Sequence, residues 1–187
     1  MRYVQIAQDK QNLISLDEAK NYLKIDSDVT EDDALIEMLI LAAIRTASKV
    51  MNQDILKTTW KATAYEMRIP AEIELKRAAF LGVDKIEYKD KDGQLKEISD
   101  DKYCQHLGGY FGKVCINASA ALSSCCDNFF VTFKTGMEFV PEDIKAAILQ
   151  HLASLYENRG DCGGGCLPAI SKMIYSNYMV EDIVTGM

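Results

Sequence analysis

A chain of 187 residues, 48% hydrophobic and 26% charged, has the make-up of a folded domain that can bury a core without a disulfide or metal staple, which excludes disordered and fibrous classes. Its 21 basic and 28 acidic side chains leave a net charge of −7. That charge excludes a protein whose main task is gripping phosphates, since such affinity comes from Lys and Arg neutralising the backbone.

The first helix signal is Ser15-Leu16-Asp17-Glu18, a capping box followed by Ala19, Tyr22 and Leu23; it predicts a short helix ending near Ile25. Thr30-Glu31-Asp32-Asp33 opens a second helix and puts carboxylates at its positive end. Leu35, Ile36, Leu39, Ile40, Ala43 and Ala47 then recur at helical spacing, so this helix is expected over residues 31–51. Residues 57–67, rich in Thr, Trp and Tyr, read as a strand. Residues 71–81 are ambiguous: Pro70 and Gly82 bracket them like a helix, yet Ile73 and Leu75 alternate with charges as in a strand. Asp92-Gly93 between alternating runs predicts a hairpin, because both residues tolerate positive φ. Further strands are expected over 110–116 and 129–133. Pro141 starts a third helix, with Ile144, Ala147, Ile148, Leu152 and Leu155 on one face and an end near Arg159.

The fold class that follows is α+β, mainly α with a β-rich insertion: a small helical bundle, hairpins and strands between the second and third main helices, and a C-terminal tail. A single domain over residues 1–187 is expected, divided into helices over 15–51, the insertion over 56–135, a helix over 141–159, a Gly-rich hinge over 160–166 and a tail over 167–187. In the tail, Leu167, Ile170, Met173, Ile174 and Tyr178 recur at three- and four-residue steps, as on one face of a helix. A lone helix this short must pack on something. It either folds back onto its own bundle or docks onto a partner, and the second is the expectation taken here.

No catalytic, cofactor or metal site is expected. Residues 1–16 hold no apolar run and do not read as a secretory leader, so a reducing cytoplasm and free thiols are expected for the six cysteines. No stretch approaches the ~18 apolar residues that span a bilayer. Cys162 and Cys166 flank three glycines, a spacing wider than the usual paired-thiol site. Cys125, Cys126, His106 and His151 would have to supply the remaining ligands, and adjacent cysteines suit a tetrahedral site poorly. Cys104 and His106 share a strand face, with no orienting group beside them that would make a nucleophile. His151 falls beside the apolar stripe of its helix and reads as structural. The glycines lack the spacing, the Lys and the Ser/Thr of a phosphate loop. The rival reading from the residues alone is a thiol- or metal-binding regulator built on Cys162 and Cys166.

Three stretches carry a resemblance. They are Ile14-Ser-Leu-Asp-Glu-Ala-Lys-Asn-Tyr-Leu-Lys-Ile-Asp26 with Thr30-Glu-Asp-Asp-Ala-Leu-Ile36; Val83-Asp-Lys-Ile-Glu-Tyr-Lys-Asp-Lys-Asp-Gly93 with Asp101-Lys-Tyr103; and Phe130-Val-Thr-Phe-Lys-Thr-Gly136 with Val140-Pro-Glu-Asp-Ile-Lys-Ala-Ala-Ile148 and Leu155-Tyr-Glu-Asn-Arg159. In order and spacing they resemble phage head–tail connector (adaptor) proteins. The resemblance implies an extended stretch over residues 73–88 and a structural subunit without an active site. It implies a ring, dodecameric in the particle, that joins the portal protein to the next neck (stopper) protein. DNA would pass its lumen without specific binding, and no membrane would be involved. The expected place is the virion neck, after assembly in the bacterial host cytoplasm. It also implies that the C-terminal segment docks on the portal, which assigns Leu167, Ile170, Met173, Ile174 and Tyr178 as the partner face. The sequence departs from the family in Cys125-Cys126, in residues 162–166 and in a tail with few basic residues.

Overall fold

The computed structural model describes residues 1–9, 13–65, 70–90, 92–106, 110–117, 128–158 and 167–181. The chain divides into two units. One joins Met1–Asp9 to Leu56–Glu138, and the other joins Lys10–Ile55 to Phe139–Met187.

The first unit is β. Its strands are β1 (Arg2–Gln8), β2 (Thr58–Tyr65), β3 (Ala71–Leu75), β4 (Phe80–Lys89), β5 (Leu95–Glu97), β6 (Tyr103–His106), β7 (Gly112–Ile116) and β8 (Asn128–Thr135). They form a five-stranded sheet in the order β1-β2-β8-β4-β5 and a three-stranded sheet in the order β3-β7-β6. Alternation decides what each strand buries. In β2 the buried residues are Thr58, Trp60, Ala62 and Ala64, and the residues between them are partly exposed or exposed. Trp60, Ala62 and Ala64 join Phe129, Val131 and Phe133 of β8, Ile86 of β4, Ile73 and Leu75 of β3, and Val114 and Ile116 of β7 in one core. Two polar contacts lie at its edge: the Trp60 indole donates to Thr135 Oγ1 at 3.0 Å, and the Arg77 guanidinium lies 3.9 Å over the Trp60 ring. At the end of β8 the chain turns at Gly136, φ +135°, where a Cβ would stand 2.7 Å from the Lys57 Cα. Only glycine fits a backbone that close.

The hairpin expected at Asp92-Gly93 joins β4 to β5. Asp90 Oδ1 accepts from the amides of Asp92 (3.0 Å) and Gln94 (2.9 Å), and Gly93 takes φ +76°. The ambiguous segment 71–81 is strand, not helix, but it serves two sheets: β3 pairs with β7 and β4 with β8. The short β1 has no hydrophobic alternation to announce it. Only Tyr3 and Gln8 are partly buried, and the strand is held by backbone pairing to β2. The Tyr3 hydroxyl, accepting from the Lys76 amide at 2.9 Å, adds a tie to the end of β3.

The second unit is helical: α1 (Leu16–Leu23), α2 (Asp33–Met51), α3 (Glu142–Glu157) and α4 (Ala169–Asn177). The Ser15 hydroxyl accepts from the Glu18 amide at 3.1 Å, as the capping box requires, and α1 ends at Lys24 in the left-handed region. Lys20 is buried, an uncommon place for an ammonium. It donates to the Val29 carbonyl at 2.8 Å and pairs with Asp33 at 2.5 Å, tying α1 to the start of α2. Ile36, Ile40, Ala43, Ile44, Ala47 and Met51 of α2, with Ile144, Ala147, Ile148 and Leu152 of α3, form the buried helix faces.

The expectation of a mainly α chain is thereby corrected. The fold is mixed α+β, with 36% helix and 34% strand among the described residues. β1 and β6 are the unforeseen strands, since each lacks the long alternating run that would mark it in sequence, whereas β3 and β4 fall largely in the stretch over residues 73–88 that the resemblance implies to be extended.

Candidate docking interface

The expected partner face lies on and beside α4. Two side chains that the three- and four-residue spacing did not single out anchor this helix. Tyr175 is fully buried, and the Ser171 hydroxyl donates to the Ala147 carbonyl at 3.0 Å. Ser171 and Tyr175 are four apart and so share a helix face. Beyond the helix the chain is fixed to the end of α2: the Val180 amide donates to the Met51 carbonyl at 2.9 Å, Asn52 Nδ2 to the Val180 carbonyl at 3.0 Å, and Gln53 Nε2 to the Tyr178 carbonyl at 2.6 Å.

The expected row is therefore divided by that anchor. Leu167, Ile174 and Tyr178 are half-buried, while Ile170 and Met173 are 57% and 61% exposed. The Tyr178 hydroxyl donates to the Asp143 carboxylate at 2.8 and 3.0 Å, which together with partial burial holds its pKa above the ordinary 10. The structure lays α4 on α3 and α2, as in the fold-back alternative, and leaves an apolar rim of Ile170 and Met173 facing outward. Two further exposed apolar side chains on this unit, Met38 and Leu41, stand three apart on α2.

Three acidic side chains at the start of α2 and in the β4–β5 turn are engaged. Asp32 accepts from the Tyr156 hydroxyl at 2.5 Å, and Asp33 holds Lys20. Asp90 pairs with Lys96 at 2.8 Å, an ion pair that, with the turn amides, keeps the Asp90 carboxyl below the usual range. His151 is 2% exposed, and desolvation lowers its pKa from 6.5, as a structural core histidine requires. Cys104 Sγ lies 3.8 Å from His106 Nε2. Cys125, Cys126, Cys162 and Cys166, with the glycines of the expected hinge, fall outside the described residues. Among the described residues no helix is long and apolar enough to cross a membrane.

No protein-family model matches the chain, and no curated relative does. Solved structures do match its fold over its whole length. A chain from the neck of an empty gene transfer agent particle, computed with C6 symmetry, superposes with a TM-score of 0.79 at 15% identity, covering 100% of this chain and 99% of that one. A chain from the virion of the native gene transfer agent particle gives 0.77 at 15% identity, and one from the neck of the native particle, computed with C12 symmetry, gives 0.74 at 14%, both with the same coverage.

Proposed function

We propose that the chain is a structural subunit of the neck of a tailed phage or phage-like particle, repeated around a ring that joins the portal to the next neck protein. The single observation that carries this reading is the match of the whole fold, both units included, to chains of a gene transfer agent neck, one of them from a structure computed with C12 symmetry. The sequence resemblance to head–tail connectors over residues 14–159 supports it independently. A ring follows when one contact between copies repeats until it closes, and twelve copies would match a dodecameric portal. The net charge of −7 suits a lumen through which DNA slides without being held. The subunit would be made in the bacterial cytoplasm and end in the virion neck, and its role is assembly rather than catalysis.

In this reading α4 docks without leaving its own helices. Ile170 and Met173 enter a pocket of the portal, with Leu167, Ile174 and Tyr178 as the flank that rests on α3 and α2. The test is to mix the purified chain with its portal and image the product by electron microscopy. A twelvefold or sixfold ring of this chain beneath the portal is expected; chain and portal that stay separate at micromolar concentration would sink the reading. Tight duplex binding by the ring at physiological salt would contradict the proposed lumen.

A further inference from the structure

The outer face of the three-stranded sheet carries a constellation unrelated to α4. β6 and β7 pair antiparallel with Cys104 opposite Cys115 and His106 opposite Lys113. Residues two apart on a strand share a face. Val114 and Ile116, the alternate residues of β7, are buried in the core, so Cys115 turns outward with Cys104 and His106. The two thiols and the imidazole offer three ligand atoms that all lie within 4.8 Å of one another.

We propose that Cys104, His106 and Cys115 bind a zinc ion, with water in the fourth position. Zinc takes thiolate at about 2.3 Å and imidazole at about 2.0–2.1 Å in a tetrahedron, which sets ligand-to-ligand edges of about 3.6–3.8 Å. The Cys104–His106 separation of 3.8 Å already matches such an edge. The remaining edges close by rotation of side chains whose backbone is fixed by strand pairing. Two sulfurs and one nitrogen select zinc over magnesium or calcium, which prefer oxygen. Glu72 stands opposite Cys115 on β3, but its carboxylate is taken by Lys113 at 2.8 Å, so solvent fills the fourth place. Metal bound here would fasten β6, an edge strand, to β7. The site stands whether or not the neck reading does, since no step of it uses a ring or a portal.

The experiment uses the full chain, purified under reductant and stripped with a chelator, beside a second form in which Cys125, Cys126, Cys162 and Cys166 are all serine. Zinc is titrated against a chromophoric chelator, and cobalt(II) replaces zinc for absorption spectra. Both forms should bind one zinc per chain, and cobalt should show thiolate charge-transfer bands with the intense visible bands of four-coordinate geometry. Cys104→Ser, Cys115→Ser and His106→Ala should each weaken zinc by about 100-fold or more, since changing even an outer partner of a ligand costs about 10–100-fold. Zinc retained by these variants but lost from the four-serine form would overturn the proposal, and so would a pale six-coordinate cobalt spectrum. A Cys104–Cys115 disulfide in protein purified in parallel without reductant would overturn it as well. The cobalt spectrum is read with all three ligands intact, so misfolding of a variant leaves the proposal open to refutation.

Discussion

The β unit and the helical unit hold themselves together by different means. In the β unit, the residues that meet lie far apart in sequence: β8 pairs with β2 on one side and with β4 on the other, and its Phe129, Val131 and Phe133 sit at the centre of the core. In the helical unit, local periodicity builds each helix, and single polar contacts fix how one lies on the next: Lys20 at Asp33, Ser171 at the Ala147 carbonyl, Val180 at Met51. A central strand concentrates stability in a few large side chains, whereas stitched helices spread it over many small ties. Substitutions should therefore be sharply damaging in β8 and graded in the helices.

The largest effect is expected at Phe133, which is fully buried against the rings of Tyr3 and Phe80. Phe133→Ala should cost about 3–5 kcal/mol, the transfer of a ring plus the cavity left behind. The only tryptophan, Trp60, lies in the same core, so its fluorescence during urea unfolding follows this unit. A loss under about 1.5 kcal/mol would mean that the strand does not concentrate stability as claimed.

Tyr175 tests the helical side of the comparison with two substitutions. Tyr175→Ala empties a fully buried position between helices and should cost about 3 kcal/mol, followed by helix circular dichroism. Tyr175→Phe should be neutral or stabilise by up to about 1 kcal/mol, because the hydroxyl is buried and has no hydrogen-bond partner among the described residues. A clear loss on Tyr175→Phe would show that the hydroxyl has a partner.

What was legible in the sequence follows the same division. α1, α2 and α3 could be read because each carries its own signals: Ser15 with Glu18, the acidic start at Asp32-Asp33, Pro141 before Ile144. The Asp92-Gly93 turn was legible for the same local reason. β1 was not, because its side chains face mostly outward and its partner begins fifty residues later, with Gln8 opposite Thr58. Residues 71–81 could not be settled locally, since the charges of β3 alternate with only two buried residues, Ile73 and Leu75. In the candidate interface the helical row was visible, but its rotation was not: which side is inward depends on Ser171 and Tyr175 meeting α3 and α2. Cys115 escaped notice for a related reason, because only the register of β6 on β7 places it beside Cys104.

A smaller effect is expected from pH at His151, in the middle of α3. Burial disfavours the imidazolium, so the folded chain binds this proton less readily than the unfolded chain, whose histidine keeps a value near 6.5. The stability that neutral His151 contributes is therefore fully present above about pH 6.5 and is lost as pH falls from there towards the lowered folded value. The slope for one proton cannot exceed about 1.4 kcal/mol per pH unit. His151→Leu should flatten the dependence between pH 7 and pH 5 measured by chemical unfolding; an unchanged slope would assign the dependence to other groups.

The smallest change in stability, and the largest in assembly, is expected at Ile170 and Met173. Both are more than half exposed on α4, while the helix is held by Ser171 and Tyr175 on its other side. Exposed positions away from caps and buried networks usually shift stability by less than about 0.5 kcal/mol. The double substitution Ile170→Ser and Met173→Ser should thus leave the unfolding midpoint nearly where it was. If the rim docks on the portal, the same pair removes two apolar anchors from a buried contact, each worth about 1.5–3 kcal/mol of burial, and attachment should weaken by 100-fold or more. Deleting residues 167–187 does not separate the two roles, because it also removes Tyr175 and the Val180 tie to Met51. The double serine variant does. A stable variant that no longer co-migrates with the portal supports docking through this rim; a stable variant that binds as before shows that the outward face of α4 is plain surface and that attachment lies elsewhere.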